Sequence, residues 1–138
     1  HVNLRGPFLL TKAVSKIMKK KSQGKIVNIS SIFGVVSKPK RAAYSTTKWG
    51  LIGFTKAVAL DLAPYNILVN AVSPGFVDTQ LTRSILGEKG IKKITETIPQ
   101  KRLATVEEIA KTIVYLASDH NTYIAGQNII VDGGFTSA

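Results

Sequence analysis

The sequence has no cysteine and only two histidines among its 138 residues, so few side chains could bind a transition metal. The absence of cysteine excludes disulfide frameworks, thiolate zinc sites and cysteine nucleophiles. His1 and His120 lie far apart in the sequence, and we expect no metal site. No apolar run approaches the roughly 20 residues that span a bilayer, and no signal peptide opens the chain. We therefore expect a cytoplasmic protein with no membrane partner.

An initiating methionine is also missing. The chain begins His1-Val2-Asn3, and its one methionine, Met18, lies inside an amphipathic segment. Because a primary translation product normally starts with methionine, we expect a processed, truncated or partial chain. Its 138 residues, 44% of them hydrophobic and 20% charged, are enough for one domain with a core and are not typical of a disordered chain.

Acidic residues are absent from the first 60 positions, which carry 12 lysines and arginines. Residues 61–138 carry 7 basic and 8 acidic residues, so the net charge of the whole chain is +11. A basic block can attract phosphates, nucleic acid or an anionic surface. This basic block lacks interleaved aromatic residues. It is better explained as a solvated face, or as a charge that balances acidic residues in a missing part. A basic nucleic-acid-binding module is therefore only a weaker alternative, and we expect no nucleic-acid partner.

The spacing of apolar residues predicts alternating helices and strands. Helices are predicted over about 7–21, 43–63 and 105–118, and strands over 25–31, 67–72 and 127–131. The predicted core face of the first helix consists of Leu10, Ala13, Val14, Ile17 and Met18. That of the second consists of Leu51, Thr55, Val58 and Leu62, and that of the third consists of Ile109, Ile113 and Leu116. Thr105 and Glu108 form a predicted capping box. The polar, partly helical stretch 79–103, interrupted by Gly87 and Gly90, is predicted to form a mobile loop or lid.

Alternating helices and strands indicate a parallel sheet with helices on its faces. Three parallel strands are few for such a sheet, because strands buried on both faces need neighbours and both sheet edges stay open. The α/β pattern therefore predicts one half of a larger sheet.

Three residue groups converge on one rim of this predicted sheet. Tyr44 and Lys48 are four residues apart on one helix face, where an ammonium lowers the pKa of a phenol and makes it a proton donor and acceptor. Ser31 ends the first strand, and Pro74-Gly75 closes the second at the same edge, where open parallel sheets place their sites. A surface pair or a turn explains each group alone, but their combination predicts an active site.

Four segments in order resemble the short-chain dehydrogenase/reductase family, and most of all its 3-oxoacyl-carrier-protein reductase type. These segments are Asn28–Gly34, Tyr44–Lys48, Asn70–Gly75 and Gly126–Gly134. The resemblance implies that residues 1–138 are a single partial domain, the carboxyl-terminal half of a Rossmann-type doubly wound parallel sheet with three strands and flanking helices. It also implies hydride transfer between NAD or NADP and a small-molecule carbonyl or alcohol substrate.

The family's catalytic tetrad of Asn, Ser, Tyr and Lys matches Asn3, Ser31, Tyr44 and Lys48. By this resemblance, Tyr44 is the general acid/base, and Ser31 orients the substrate oxygen, with Ser30 as the neighbouring alternative. Lys48 holds the nicotinamide-ribose hydroxyls together with Tyr44 and lowers the pKa of that tyrosine. Asn3 positions a water for proton relay.

The segment around Pro74, Gly75, Val77 and Thr79 resembles the family's contacts to the nicotinamide end of the cofactor. Helix or turn capping is the alternative for Asn3 and Thr79. The family's Gly-x-x-x-Gly-x-Gly phosphate loop is absent from these 138 residues. We therefore expect this chain alone to bind NAD or NADP weakly or not at all and to be inactive.

The resemblance also implies a homo-oligomer, a dimer or tetramer, that packs through the helices over 7–21 and 43–63. A non-catalytic oligomerisation or interaction fragment is the alternative, favoured by the missing phosphate loop. Basic residues in the 79–103 stretch give a weak indication of an anionic substrate or carrier, although such lysines are more often simply solvated. These residues are Lys89, Lys92, Lys93, Lys101 and Arg102.

Overall fold

The computed structural model describes residues 2–138, which form four helices and three strands, together with short 3-10 turns. In chain order these are α1 (Val2–Lys21), β1 (Gly24–Ile29), α2 (Ala42–Leu62), β2 (Ile67–Pro74), α3 (Gln80–Thr97), α4 (Val106–Ala117) and β3 (Asn128–Val131). The 3-10 turns are Ile32–Gly34, Ala63–Tyr65 and Phe135–Ser137. The predicted alternation of helices and strands is confirmed.

The three strands form one parallel sheet in the order β1-β2-β3. The register places Ile29 of β1 opposite Val72 of β2, and Pro74 of β2 opposite Val131 of β3. The central strand is fully buried at Ile67, Val69, Ala71 and Val72, as expected for a parallel strand that is covered on both faces. β1 and β3 are the edge strands, each with one open hydrogen-bonding side in the described residues.

Two hydrophobic clusters cover the two faces of the sheet. On one face, Ala59 and Leu62 of α2 pack against Ile67 and Val69. On the other, Ile109 and Leu116 of α4 pack against Val72. Because alternate residues of β2 point to opposite faces, one short strand supplies both clusters. The sheet is therefore doubly wound, and the predicted core faces of α2 and α4 are confirmed.

The predicted core face of α1 is wrong for Leu10, Ala13 and Ile17, which are exposed, whereas Met18 packs against a core cluster. Leu10 and Ile17 are 68% and 60% exposed, whereas Thr11 is the buried residue of this helix. Within the described chain, α1 packs mainly on α2 and β1, which cover only the side that carries Thr11 and Met18. The helix also starts earlier than predicted, so Pro7 lies inside it.

The stretch 79–103, predicted as a partly helical loop or lid, contains more helix than expected, because α3 covers most of it. Thr79 accepts a hydrogen bond from the Thr82 amide and so begins α3. Gly87, with φ 61° and ψ 174°, divides α3 into two helical segments. That backbone conformation is open to glycine at little cost, so the residue predicted to interrupt a helix produces a kink between two helices. None of the α3 residues is buried.

The remaining boundaries differ by a few residues from the prediction. β1 ends at Ile29, two residues before Ser31, and β2 continues to Pro74. The capping box of Thr105 and Glu108 is confirmed, with both reciprocal hydrogen bonds present. No helix in residues 2–138 is both long and apolar enough to cross a membrane. The same residues contain no group of three histidine or carboxylate side chains arranged to hold a metal ion.

A hydrogen bond between Asn28 of β1 and Thr55 of α2 gives a stability prediction. The fully buried Thr55 hydroxyl accepts from Asn28 Nδ2 at 2.9 Å and donates to the Leu51 carbonyl at 2.7 Å. Thr55→Val leaves the buried amide without its partner, so we expect the free energy of unfolding in urea to fall by about 1–3 kcal/mol. Thr46→Val, at an exposed position of the same helix, should change it by less than about 0.5 kcal/mol. Equal effects of the two substitutions would contradict this account.

Candidate active site

The carboxyl end of β1 is joined to α2 by two reciprocal hydrogen bonds. The Lys48 ammonium donates to the Ile29 carbonyl at 2.9 Å, and the Ser30 hydroxyl donates to the Lys48 carbonyl at 3.0 Å. Gly34 lies at the same contact, where an added Cβ would come within 2.7 Å of Ser30 Oγ and 3.0 Å of the Lys48 carbonyl oxygen. The close approach of strand end and helix therefore requires glycine at position 34.

Ser31 and Tyr44 share Phe33 as a neighbour. Ser31 is 8% exposed, and its oxygen accepts a hydrogen bond from the Phe33 amide at 3.2 Å, which begins the 3-10 turn Ile32–Gly34. The Tyr44 ring meets the Phe33 ring edge-on, with centroids 6.3 Å apart. Ser30, the alternative to Ser31, already donates to the helix backbone. The structure thus brings the segment of Ser31 and the ring of Tyr44 to one place.

Lys48 lies one turn after Tyr44 on α2, with its ammonium 5.7 Å from the centroid of the tyrosine ring. This lysine is half-buried, and burial lowers its pKa from the ordinary 10.5, because desolvation disfavours the charged form. The predicted pairing of a phenol with an ammonium on one helix face is therefore present.

Asn3 lies in the first turn of α1, beside the same part of α2. Its amide donates a long, 3.4 Å hydrogen bond to the Thr47 hydroxyl, which itself donates to the Tyr44 carbonyl at 2.8 Å. Asn3 and Lys48 both line an open groove of about 390 Å³ between α1 and β1, together with Asn28 and Ile29. The asparagine and the lysine predicted to act together thus border one cavity.

The segment after β2 is held rigidly by backbone contacts. The Gly75 amide donates to the Val131 carbonyl at 2.9 Å, and a Cβ on Gly75 would lie 2.8 Å from Asp132 Cα. Val77 pairs with Ala104 in an isolated parallel bridge. Thr79, predicted either to contact the cofactor or to cap a helix, does cap α3.

An aromatic chain connects the segments that follow β1, β2 and β3. The Phe76 ring meets Phe33 edge-on at 6.3 Å and Phe135 at 5.4 Å, and Phe33 in turn contacts Tyr44. Edge-to-face contacts of this kind fix ring orientations. Sequence reasoning missed this chain, because its members share no spacing and are brought together only by the common sheet edge.

The Arg102 side chain is paired with the Glu108 carboxylate. This pairing weakens the sequence-based indication that the stretch 79–103 binds an anionic substrate or carrier. Its guanidinium makes two hydrogen bonds to the Glu108 carboxylate, at 2.7 and 2.8 Å. Lys101 donates to the backbone carbonyl of Glu96 at 2.7 Å. The Arg102 hydrogen bonds and the Thr105 amide lower the pKa of Glu108 from 4.5 to about 2. Two of the five basic residues singled out in the sequence therefore have partners within the chain.

The arrangement places donors for two kinds of oxygen at the sheet edge. A phenol and a buried hydroxyl around Phe33 are suited to a carbonyl or alcohol oxygen. An ammonium with further N–H donors is suited to ribose hydroxyls. The described residues therefore fit the nicotinamide-ribose end of a dinucleotide, but they contain no glycine-rich turn for its pyrophosphate.

Comparison with known proteins finds relatives over almost the whole of this chain. A family model described as "Enoyl-(Acyl carrier protein) reductase" matches residues 1–136. A relative from Aquifex aeolicus, the 3-oxoacyl-[acyl-carrier-protein] reductase FabG, is 47% identical over 133 residues. The match covers 96% of this chain and 53% of the relative. The chain thus spans about half the length of that relative and corresponds to its carboxyl-terminal portion.

Solved structures give the same result for the fold. ElxO with NADP bound matches with a TM-score of 0.93 and 37% identity, covering 99% of this chain and 56% of that one. A gluconate 5-dehydrogenase from Burkholderia cenocepacia, in complex with NADP and tartrate, matches with a TM-score of 0.94 and 34% identity. That match covers 99% of this chain and 54% of the other. The predicted carboxyl-terminal half of a Rossmann-type sheet is confirmed.

The low pKa of Glu108 gives a pH prediction. A carboxylate with a lower pKa in the folded state contributes stability above its unfolded pKa, and that contribution disappears as the pH falls through the folded value. With values of 4.5 and about 2, the wild-type chain should lose stability between these pH values, and Glu108→Gln should remove that part of the loss. Urea unfolding across this pH range measures the difference. Glu107→Gln, at the exposed neighbouring carboxylate, should keep the wild-type slope, and the same slope in both variants would refute the assignment.

Proposed function

We propose, from the fact that this chain belongs to the short-chain dehydrogenase/reductase family, that the whole protein transfers hydride between NAD or NADP and a carbonyl or alcohol substrate. One observation carries the proposal. Lys48 lies one turn from Tyr44 and donates to the Ile29 carbonyl, beside the segment of Ser31. This places a phenol, an ammonium and a hydroxyl at the carboxyl edge of the sheet, where open parallel sheets bind their ligands.

In this proposal, Tyr44 exchanges the proton of the substrate oxygen. In the direction of reduction, its hydroxyl protonates the developing alkoxide, and in the direction of oxidation the phenolate accepts the alcohol proton. Ser31 donates a second hydrogen bond to the same oxygen and so shares the developing charge. Its oxygen already accepts from the Phe33 amide, which leaves its own proton for the substrate.

Lys48 supports this step through the groove that it lines together with Asn3. Its ammonium lies 5.7 Å from the centroid of the Tyr44 ring and keeps N–H donors beyond the one bonded to the Ile29 carbonyl. We propose that a water held by Asn3 in this groove passes protons to Lys48. The half-buried ammonium has a lowered pKa, which makes such an exchange easier near neutral pH.

The nicotinamide cofactor would supply the hydride when bound. Tyr44 and Lys48 would hold its ribose hydroxyls, and the segment of Pro74, Gly75 and Val77 would contact its nicotinamide end. Backbone hydrogen bonds already fix this segment against β3 and Ala104, so it would form a rigid side of the nicotinamide site. Thr79 would contact the nicotinamide end as well, although its side chain also caps α3.

The pyrophosphate and adenosine would be held by an amino-terminal half, which these 138 residues do not supply. Support comes from the open edge of β1 and from the groove of about 390 Å³ beside it. A further parallel strand on this edge would satisfy its free backbone groups, and a helix in the groove would cover Leu10. This chain alone should therefore be inactive. A non-catalytic fragment remains the second candidate, and a phosphate loop upstream of His1 in the encoding sequence would exclude it.

We also propose that the protein forms a homo-oligomer, a dimer or tetramer, through α1 and α2. The Phe8 and Phe54 rings lie 5.8 Å apart, tilted by 54°, beside a groove of about 200 Å³ between these helices, and Phe8 is 50% exposed. Trp49 and Leu60 of α2 are 54% and 78% exposed. Large apolar side chains in this number on two adjoining helices are typical of a protein–protein interface.

The role of Tyr44 is tested by replacing it with phenylalanine in the full-length protein. Tyr44→Phe removes the hydroxyl that moves the proton and keeps the ring contact with Phe33, so kcat should fall at least about 100-fold while the unfolding midpoint is unchanged. Tyr65→Phe, on a 3-10 turn at the opposite end of the sheet, is the matched control and should keep full activity. Turnover of Tyr44→Phe near the wild-type rate would refute the proposed mechanism.

The proposed interface is tested by light scattering. Phe8→Glu places a charge in the apolar groove and should reduce the molar mass of the full-length protein to that of a smaller assembly. Lys16→Glu, at an exposed position of the same helix, should leave the molar mass unchanged. A monomeric wild-type protein, or an unchanged mass in Phe8→Glu, would contradict this interface.

A further inference from the structure

The loop between the 3-10 turn Ile32–Gly34 and α2 surrounds two aromatic rings of the site with positive charge. The Lys38 ammonium lies 5.5 Å from the centroid of Phe33, and the Arg41 guanidinium lies 5.7 Å from the same centroid. Arg41 is also 5.9 Å from the centroid of Tyr44, whose other neighbour is the Lys48 ammonium. Three cations therefore lie close to two aromatic rings that contact each other.

No carboxylate compensates these charges within residues 2–138. The ion pairs of this part of the chain join Lys25 to Asp119, Arg83 to Asp78 and Arg102 to Glu108, and none includes Lys38, Arg41 or Lys48. The first 60 positions contain no acidic residue at all. Attraction to the ring faces offsets part of the mutual repulsion of the cations. Each cation nevertheless keeps donors that are free for an anion.

The position of this cluster relates it to the substrate. Lys38 and Arg41 are exposed; both lie beside the Phe33 ring, and Arg41 also lies beside the Tyr44 ring. Lys48 donates to the Ile29 carbonyl and is assigned to the cofactor ribose, which leaves Lys38 and Arg41 as the outer pair. An anionic group on a substrate whose carbonyl lies at Tyr44 would find this pair close by. By contrast, Lys101 and Arg102 of the stretch 79–103 are already bonded within the chain.

We infer that Lys38 and Arg41 form a subsite for an anionic group, a carboxylate or a phosphate, carried by the ketone or alcohol substrate. The inference rests on the proposed oxidoreductase function and adds the substrate class to it. Arg41 presents a planar fork of donors that matches the two oxygens of a carboxylate or phosphate, and Lys38 adds a second positive charge. The subsite would orient the substrate, while Tyr44 and Ser31 act on its carbonyl oxygen.

The experiment compares ketones that differ only in charge, using the full-length protein and NADPH oxidation. One pair is 4-oxopentanoate and its neutral amide, and the other is dihydroxyacetone phosphate and dihydroxyacetone. We expect the wild-type kcat/KM to be at least about tenfold higher for the anionic member of one pair, the size of one charge-assisted hydrogen bond. The pair that shows the preference distinguishes a carboxylate from a phosphate.

The variants assign this preference to the two residues. Arg41→Gln and Lys38→Gln should each reduce the ratio of kcat/KM for the anionic ketone to that for the neutral ketone about tenfold, through the KM of the anionic ketone, and Arg41→Lys should restore part of this ratio. Lys56→Gln removes a charge from an exposed position further along α2 and should keep the preference. Equal kcat/KM within both pairs, or an equal loss for neutral and anionic ketones in the variants, would overturn the inference.

Calorimetric binding of the same compounds separates this inference from the proposed function. If the protein reduces neutral ketones but binds and turns over anionic ones no better, the anion subsite is refuted and the oxidoreductase function stands. If the protein reduces no ketone, yet binds 4-oxopentanoate or dihydroxyacetone phosphate in preference to its neutral partner and loses this in Arg41→Gln, the subsite is supported and the proposed reaction is refuted.

Discussion

The site depends on the pair of hydrogen bonds that locks the end of β1 to α2. Lys48 reaches the Ile29 carbonyl with its side chain, while Ser30 reaches the Lys48 carbonyl with its own. Each bond satisfies a backbone carbonyl with a side chain of the other element, so neither element can shift alone without leaving a polar group unpaired. Gly34 permits the close approach that these bonds need. The position of Tyr44, one turn before Lys48, follows from this lock.

Side-chain packing next to this contact positions the other residues at the carboxyl edge of the sheet. The Phe33 ring makes one edge-on contact with the Tyr44 ring and another with the Phe76 ring. Phe76 belongs to the segment that follows β2. Gly75 and Val77 of this segment are in turn fixed by backbone bonds to β3 and Ala104. Chemistry-bearing residues from distant parts of the sequence thus meet because three parallel strands end at one edge. The two proposed substrate contacts, proton transfer and anion binding, both involve residues next to the rings of Phe33 and Tyr44.

Local sequence patterns predicted much of this structure. They did not predict the features that depend on contacts between distant parts of the chain. The core faces of α2 and α4 and the capping box at Thr105 were predictable, because helical spacing and capping chemistry are local. The burial of Leu10 was not, since the spacing marks an apolar face but does not say which parts of the chain cover it. The extent of helix on both sides of Gly87 was not predictable, because one glycine is compatible with a loop or with a kink between two helices. The arrangement of Lys38 and Arg41 around Phe33 has no sequence signal, as it arises from the path of an irregular loop.

The central claim is that Ser31 and Tyr44 act on one substrate oxygen. A crystal structure of the full-length protein with bound NADP measures this most directly, through the distance between Ser31 Oγ and Tyr44 Oη. Because one oxygen must accept a hydrogen bond of about 3 Å from each, the account predicts a separation of no more than about 6 Å, with Lys48 on the ribose hydroxyls. A well-ordered structure in which the two oxygens lie farther apart, or face different cavities, would contradict it.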